Sequence, residues 1–153
     1  MDFTMKPIAR VSGGRADPID DDWGASRAVI ELDAEQFDDT ALAGLDAFSH
    51  AEIVFVFDQV RDDQIVSGAR HPRGREDWPK LGIFAQRGKN RPNRIGVTVC
   101  RLVSVSGREL QVEGLDAIDG TPVLDIKPFM SGFGPRGEVR EPAWAQEIMA
   151  GYW

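Results

Sequence analysis

Several residue types are scarce in this chain, and each scarcity excludes something. A single cysteine, Cys100, among 153 residues rules out an intramolecular disulfide and points to a reducing compartment. Two histidines, His50 and His71, leave no spacing that resembles a zinc site, so no metal is expected. No apolar run approaches the ~18 residues a membrane helix needs. Residues 1–10 lack a signal-peptide core. A cytoplasmic protein with no membrane partner is therefore expected. Nucleophile elbow, Walker loop, internal repeat and low-complexity tract are all absent. One formal match fails. Gly132-Phe133-Gly134-Pro135-Arg136-Gly137 spells the dinucleotide fingerprint, but Pro135 interrupts it and the next helix signal waits until Pro142.

What is present suits one soluble domain with a real core: 42% apolar and 28% charged residues. The net charge of −7 argues against generic, phosphate-driven nucleic-acid binding. Charge is unevenly placed, however. Arg70 to Arg101 holds 9 of the 18 Lys+Arg and only 2 of the 25 Asp+Glu, so it carries +7 and the remainder −14. Its centre, Gly82 to Gly96, is glycine-punctuated and stiffened by Pro92. Such an inversion marks a surface that meets an anionic or electron-rich partner. Asp17 to Asp63 is the opposite, with 14 acids against Arg27 and Arg61. It reads as a solvated face, or as a complement to the basic stretch of a neighbouring subunit.

Strand signals dominate the element pattern. Lys6 to Val11 and Ala28 to Leu32 read as short strands, and Gly13 to Gly24 between them as a loop. Asp33 to Phe48 suggests a helical turn and a short helix ending near Gly44. Ile53 to Phe57 is a continuous β-branched and aromatic run, read as a central strand buried on both faces. Residues 61–94 have no clean period and read as a long ordered loop. Ile95, Val97, Val99, Val103 and Val105 alternate, which is a strong strand signal. Ser106-Gly107 turns the chain into Leu110 to Val112, and Asp119-Gly120 turns it into Pro122 to Ile126, which Pro128 ends. Pro142 opens a short amphipathic helix in which Trp144 and Ile148, and Ala145 and Met149, share a face. The expected class is mainly β, an antiparallel barrel or sandwich with short helices and a C-terminal amphipathic helix. Cys100, inside a strand pattern, reads as a buried inert thiol.

Two regions offer chemistry. Gly114 to Pro128 brings the carboxylates of Asp116, Asp119 and Asp125 among turn amides. They either hold a ribose diol or ammonium group, or simply cap turns. His50 reads as structural, while His71, within Arg70-His71-Pro72-Arg73-Gly74, stays open between structure and function.

Three blocks in order then carry a resemblance. Gly44-Leu45-Asp46-Ala47-Phe48-Ser49-His50 with Val54 to Gln59, Gly82 to Arg87 with Arg91 to Gly96, and Leu115-Asp116 through Asp119-Gly120-Thr121-Pro122 to Phe129 resemble the TrmO/YaeB (TsaA-like) family. The likeness runs from about Lys6 to Phe129 and is similar to a short form of the family, without its extra C-terminal region. It implies a single antiparallel β-barrel over residues 1–130, with 131–153 a tail and short helix of the same domain. It also implies S-adenosyl-L-methionine as cofactor, a homodimer, and methylation of threonylcarbamoyladenosine in tRNA. Carried over residue by residue, the cofactor-binding positions are Asp22, Trp23 and Gly24, Asp58 and Gln59, Arg87 with Val97, and Leu115, Asp116, Ala117, Ile118 and Asp119. His71, Arg73, Arg91, Asn93 and Lys127 would face the substrate, with Arg91-Pro92-Asn93 alternatively bracing the loop. No catalytic base is named. The chain departs from the family at Asp58 (often histidine), at Gln86 and Gly88 (threonine and serine), at Arg94 (proline) and at Phe129 (tyrosine). A small-molecule methyltransferase, or a non-catalytic module that binds S-adenosylmethionine or nucleic acid, is the alternative.

Overall fold

The computed structural model describes residues 1–153. Six strands close into an antiparallel barrel: β1 (Ala9–Ser12), β2 (Arg27–Leu32), β3 (His50–Val56), β6 (Ile95–Ser106), β7 (Glu109–Glu113) and β8 (Pro122–Pro128). Around the barrel the order is β1-β2-β7-β6-β3-β8, and β8 returns to β1. Closure leaves no free sheet edge to pair with another chain. A separate two-stranded hairpin, β4 (Ala69–Arg70) with β5 (Leu81–Gly82), lies in the long connection from β3 to β6. The one helix, α1 (Ala143–Met149), follows Pro142 and buries part of Trp144, Ala145 and Ile148. No helix is long and apolar enough to cross a membrane.

The core explains the alternation. Val11, Ile30, Ile53, Phe55, Leu110, Val112 and Val123 point inward and are fully buried. Each such side chain contributes about 1.5–3 kcal/mol of transfer free energy. β3 alternates, with Ala51, Ile53 and Phe55 inside and Glu52, Val54 and Val56 half-exposed. The expectation of burial on both faces is thereby corrected. A strand in the wall of a single small barrel has only one inner face.

β6 is a strand as its alternation predicts, and in its first half the valines lie on the outer face. Gly96, Thr98 and Cys100 face inward, while Val97 is half-exposed and Val99 is exposed. The inner volume beside β6 is already filled by Phe55, whose ring lies across Gly96. A Cβ there would come within 2.5 Å of it. Between Gly44 and Phe48 the structure has a 3-10 turn, Leu45–Ala47, that Gly44 starts rather than ends, and Asp33 to Ala43 forms turns instead of a helix. Asp33 and Asp38 accept N–H groups two residues on, at Glu35 and Thr40, which favours turns over helical bonds. β1 begins at Ala9 rather than Lys6.

Cys100 is buried as its pattern predicts, and its Sγ lies 3.7 Å from the Ala51 carbonyl. Burial, and then the charge of Asp116, pushes its thiol pKa up to about 12. In the native protein Cys100 is therefore expected to resist iodoacetamide at pH 8 and to react fully once unfolded. Rapid labelling without unfolding would show the thiol to be open. The unfolded thiol ionises from about pH 8.5 while the native one stays neutral, so this contribution to stability is lost as pH rises through that window.

Candidate functional site

The topology gathers one rim of the barrel. β1, β3 and β7 end there, and β2, β6 and β8 begin there. The rim therefore carries the Gly13–Gly24 loop, Asp58-Gln59, the start of β6, and Leu115 to Asp119. The stagger of β6 opens a place for the last of these. Its second half pairs with β7, which stops at Glu113 opposite Arg101. Gly114 to Asp116 then runs unpaired beside the first half of β6. There the Thr98 hydroxyl donates to Asp116 Oδ1. Leu115 and Ala117 anchor this turn in the core.

The N-terminal loop is tied to the same turn. Gly114 N–H donates to the Ser26 carbonyl at 2.9 Å, and Asp119 N–H to the Arg15 carbonyl at 2.7 Å. Asp119 Oδ1 accepts Gly13 N–H at 2.9 Å, so this carboxylate caps a turn. Trp23 is buried beneath the loop, its Nε1 donates to the Ile19 carbonyl at 2.9 Å, and the Arg15 guanidinium stacks 4.3 Å from its ring. Asp22 holds a positive φ of 63°. From the other side, Arg87 Nη2 donates to the Val97 carbonyl at 2.7 Å, one residue from Thr98. Asp58 and Gln59 are exposed just after β3, whose last residue pairs with Ile95.

The expected substrate-side residues are more scattered. Arg91 Nη1 donates to the Gln86 carbonyl at 2.8 Å, which braces the loop. Asn93 is exposed at φ 62°. His71 donates through Nδ1 to the Trp78 carbonyl at 2.8 Å. Arg73 makes a two-pronged ion pair with Asp21, at 2.9 and 3.2 Å, which holds the Asp21 carboxyl below the usual range. Lys127 is the outlier. It lies well down β8 from the rim, in register with Glu52, and pairs with Asp125.

Much of the basic stretch is matched within the chain. Arg73 with Asp21, Arg75 with Asp77 and Arg94 with Asp62 are ion pairs, two of them with the acidic N-terminal half. Arg70, Lys80, Arg87, Lys89 and Arg91 have no carboxylate partner within the chain. The departures around Arg87 also have a structural reason. Gln86 is buried and its Nε2 donates to the Arg70 and Leu81 carbonyls, fastening β4 to β5. The Arg70 guanidinium lies where a Cβ at position 88 would be, so Gly88 leaves it room.

Sequence reasoning missed Tyr152 and Trp153. Asp22 N–H donates to the Gly151 carbonyl at 3.0 Å, Trp23 N–H to the Tyr152 carbonyl at 2.8 Å, and the Tyr152 hydroxyl to Asp116 Oδ2. Trp153 lines a shallow cleft with Gly24, His50, Val99, Arg101 and Glu113. Glu113 accepts from Arg101 and Arg27 on the two flanking strands, which lowers its carboxyl pKa. No local pattern announces Tyr152, because its partners are far away in sequence.

The family model "tRNA-methyltransferase O N-terminal domain" matches residues 17–134. A human protein named tRNA (adenine(37)-N6)-methyltransferase is 37% identical over 119 residues, covering 76% of this chain and 26% of that protein. A Pyrococcus abyssi protein named "Probable S-adenosyl-L-methionine-binding protein" is 35% identical over 138 residues, covering 88% of this chain and 72% of its own. A crystal structure of TrmO superposes with TM-score 0.76 at 30% identity over 92% of this chain and 64% of that one. A TrmO structure from Pseudomonas aeruginosa gives 0.73 at 30% identity, over 92% and 61%. The chain thus spans about a quarter of the human relative's length and somewhat under two thirds of the solved TrmO chains. The six-stranded antiparallel barrel and the matched blocks place this chain in the TrmO family.

Proposed function

We propose that this chain is the barrel domain of an S-adenosylmethionine-dependent methyltransferase that acts on an adenine-derived base in tRNA. The observation that carries the reading is the meeting of the Asp22–Gly24 loop, the Asp116 turn, and the start of β6 with Arg87 bonded to it, on one rim. The names of the relatives supply the methyl donor and the tRNA substrate.

The donor set suits that cofactor. Asp116 offers carboxylate lone pairs to a ribose diol or an ammonium group. Arg87 is exposed and spends one of its five N–H donors on Val97, leaving a fork for a carboxylate. When bound, S-adenosylmethionine would supply a sulfonium methyl for in-line transfer to an acceptor nitrogen, the CH3–S bond breaking to leave S-adenosylhomocysteine as a neutral thioether and the nitrogen's proton passing to water. The chain's part is to fix the reactants relative to one another and to shed water from the rim. Residues 131–153 belong to the same domain. Exposed Val99 on β6 and exposed Phe84 suit burial against a second copy in a homodimer.

The measurement is titration calorimetry with S-adenosylmethionine, followed by incubation of hypomodified tRNA with methyl-labelled cofactor. Binding and label in tRNA are expected. Arg87→Ala is expected to weaken binding about tenfold. Absence of binding would sink the methyltransferase reading, and label confined to small molecules would remove tRNA as the substrate. A second reading, a cofactor-binding module without catalysis, is favoured by the in-chain neutralisation of Arg73, Arg75 and Arg94. Binding without transfer to any acceptor would select it.

A further inference from the structure

We propose that Tyr152 is a positioning residue of the cofactor site, acting through Asp116, and that Gly151–Trp153 builds that site together with the Asp22–Gly24 loop. This rests on the methyltransferase reading above. Tyr152 lies outside the residues that the family model matches, 17–134.

Three sets of contacts carry the assignment. The Tyr152 hydroxyl and the Thr98 hydroxyl each donate to one oxygen of Asp116, so the carboxylate is gripped from two sides. A carboxylate oxygen accepts more than one hydrogen bond, so a gripped Asp116 still has lone pairs for a ligand while its rotamer is fixed. The backbone at Gly151 and Tyr152 then accepts the N–H groups of Asp22 and Trp23, which holds the loop containing the strained Asp22. Finally, Trp153 packs on Gly24 so closely that a Cβ there would lie 2.6 Å from the Trp153 carbonyl carbon. Loop and segment fit each other as one unit.

The segment is itself anchored. Glu147 of α1 accepts the Trp78 indole N–H at 2.7 Å, and Gly151 then turns the chain inward with φ of 80°. Burial, the Asp116 charge and the Asp116 hydrogen bond all raise the Tyr152 pKa, so the phenol stays a donor through the working pH range. A plug that competes with the ligand for the same groups would have the opposite effect on affinity.

The test uses calorimetry of the whole chain with S-adenosylmethionine and with S-adenosylhomocysteine, neither of which requires turnover. Tyr152→Phe keeps the ring and removes only the hydroxyl. It is expected to weaken both ligands about tenfold while the unfolding midpoint stays close to that of the parent protein. In an Asp116→Ala background the same change is expected to have no further effect, since its route is gone. Parent-like binding by Tyr152→Phe would overturn the proposal. So would tighter binding, which would mark the segment as a plug, or an undiminished effect in the Asp116→Ala background. If the parent protein binds neither ligand, the methyltransferase reading itself fails, an outcome distinct from all of these.

Discussion

Phe55→Ala is expected to lower the unfolding free energy by about 3–5 kcal/mol, among the largest effects a single core change produces. Phe55 is fully buried in β3, its ring crosses Gly96 of β6, and it meets Phe57 edge-on with centroids 5.2 Å apart. Truncation opens a cavity at the seam between two strands, and the closed barrel has little freedom to collapse into it. Gly96→Ala attacks the same contact from the other side. Its Cβ would come within 2.5 Å of the Phe55 ring, and overpacking of this kind costs about 1–3 kcal/mol. The two sites share one volume, so Phe55→Leu is expected to relieve part of the Gly96→Ala penalty. Chemical denaturation of the four proteins checks this. Strict additivity would show that ring and glycine do not compete for space.

The second large effect is on binding. Asp116→Ala is expected to weaken S-adenosylmethionine on the order of a hundredfold, the scale of a lost hydrogen bond to a charged group. A smaller cost of about 1–3 kcal/mol in stability accompanies it, because the Thr98 and Tyr152 hydroxyls lose their shared acceptor. Asp116→Asn keeps the shape and one acceptor oxygen, and is expected to fall between the two. Calorimetry and denaturation separate the terms. Unchanged affinity in Asp116→Ala would take this turn out of the cofactor site. Asp119→Ala is the useful contrast. Its carboxylate is engaged at Gly13, so a weaker turn is the main consequence expected.

The mainly β class, the positions of most strands, the buried Cys100 and the family, through three blocks in order, are legible in the amino-acid sequence. These are local signals. Period-two alternation, turn residues such as Asp119-Gly120 and the β-branched run at β3 are written within a few residues of one another. Tertiary structure decided the rest. Which face of β6 is buried was not legible, because the valines announce a strand but Phe55, forty-one positions away from Gly96, fills the interior. The destination of the basic stretch was equally hidden. Arg73 and Arg94 find Asp21 and Asp62 only once the chain is closed. Glycine at 88 and glutamine at 86 look like departures in sequence, and become a fitted pair around Arg70 in three dimensions. The contact of Tyr152 with Asp116 spans thirty-six positions. A pattern read along the chain reports on neighbours, whereas a carboxylate shared by two hydroxyls on a barrel rim exists only where distant segments are brought to the same point.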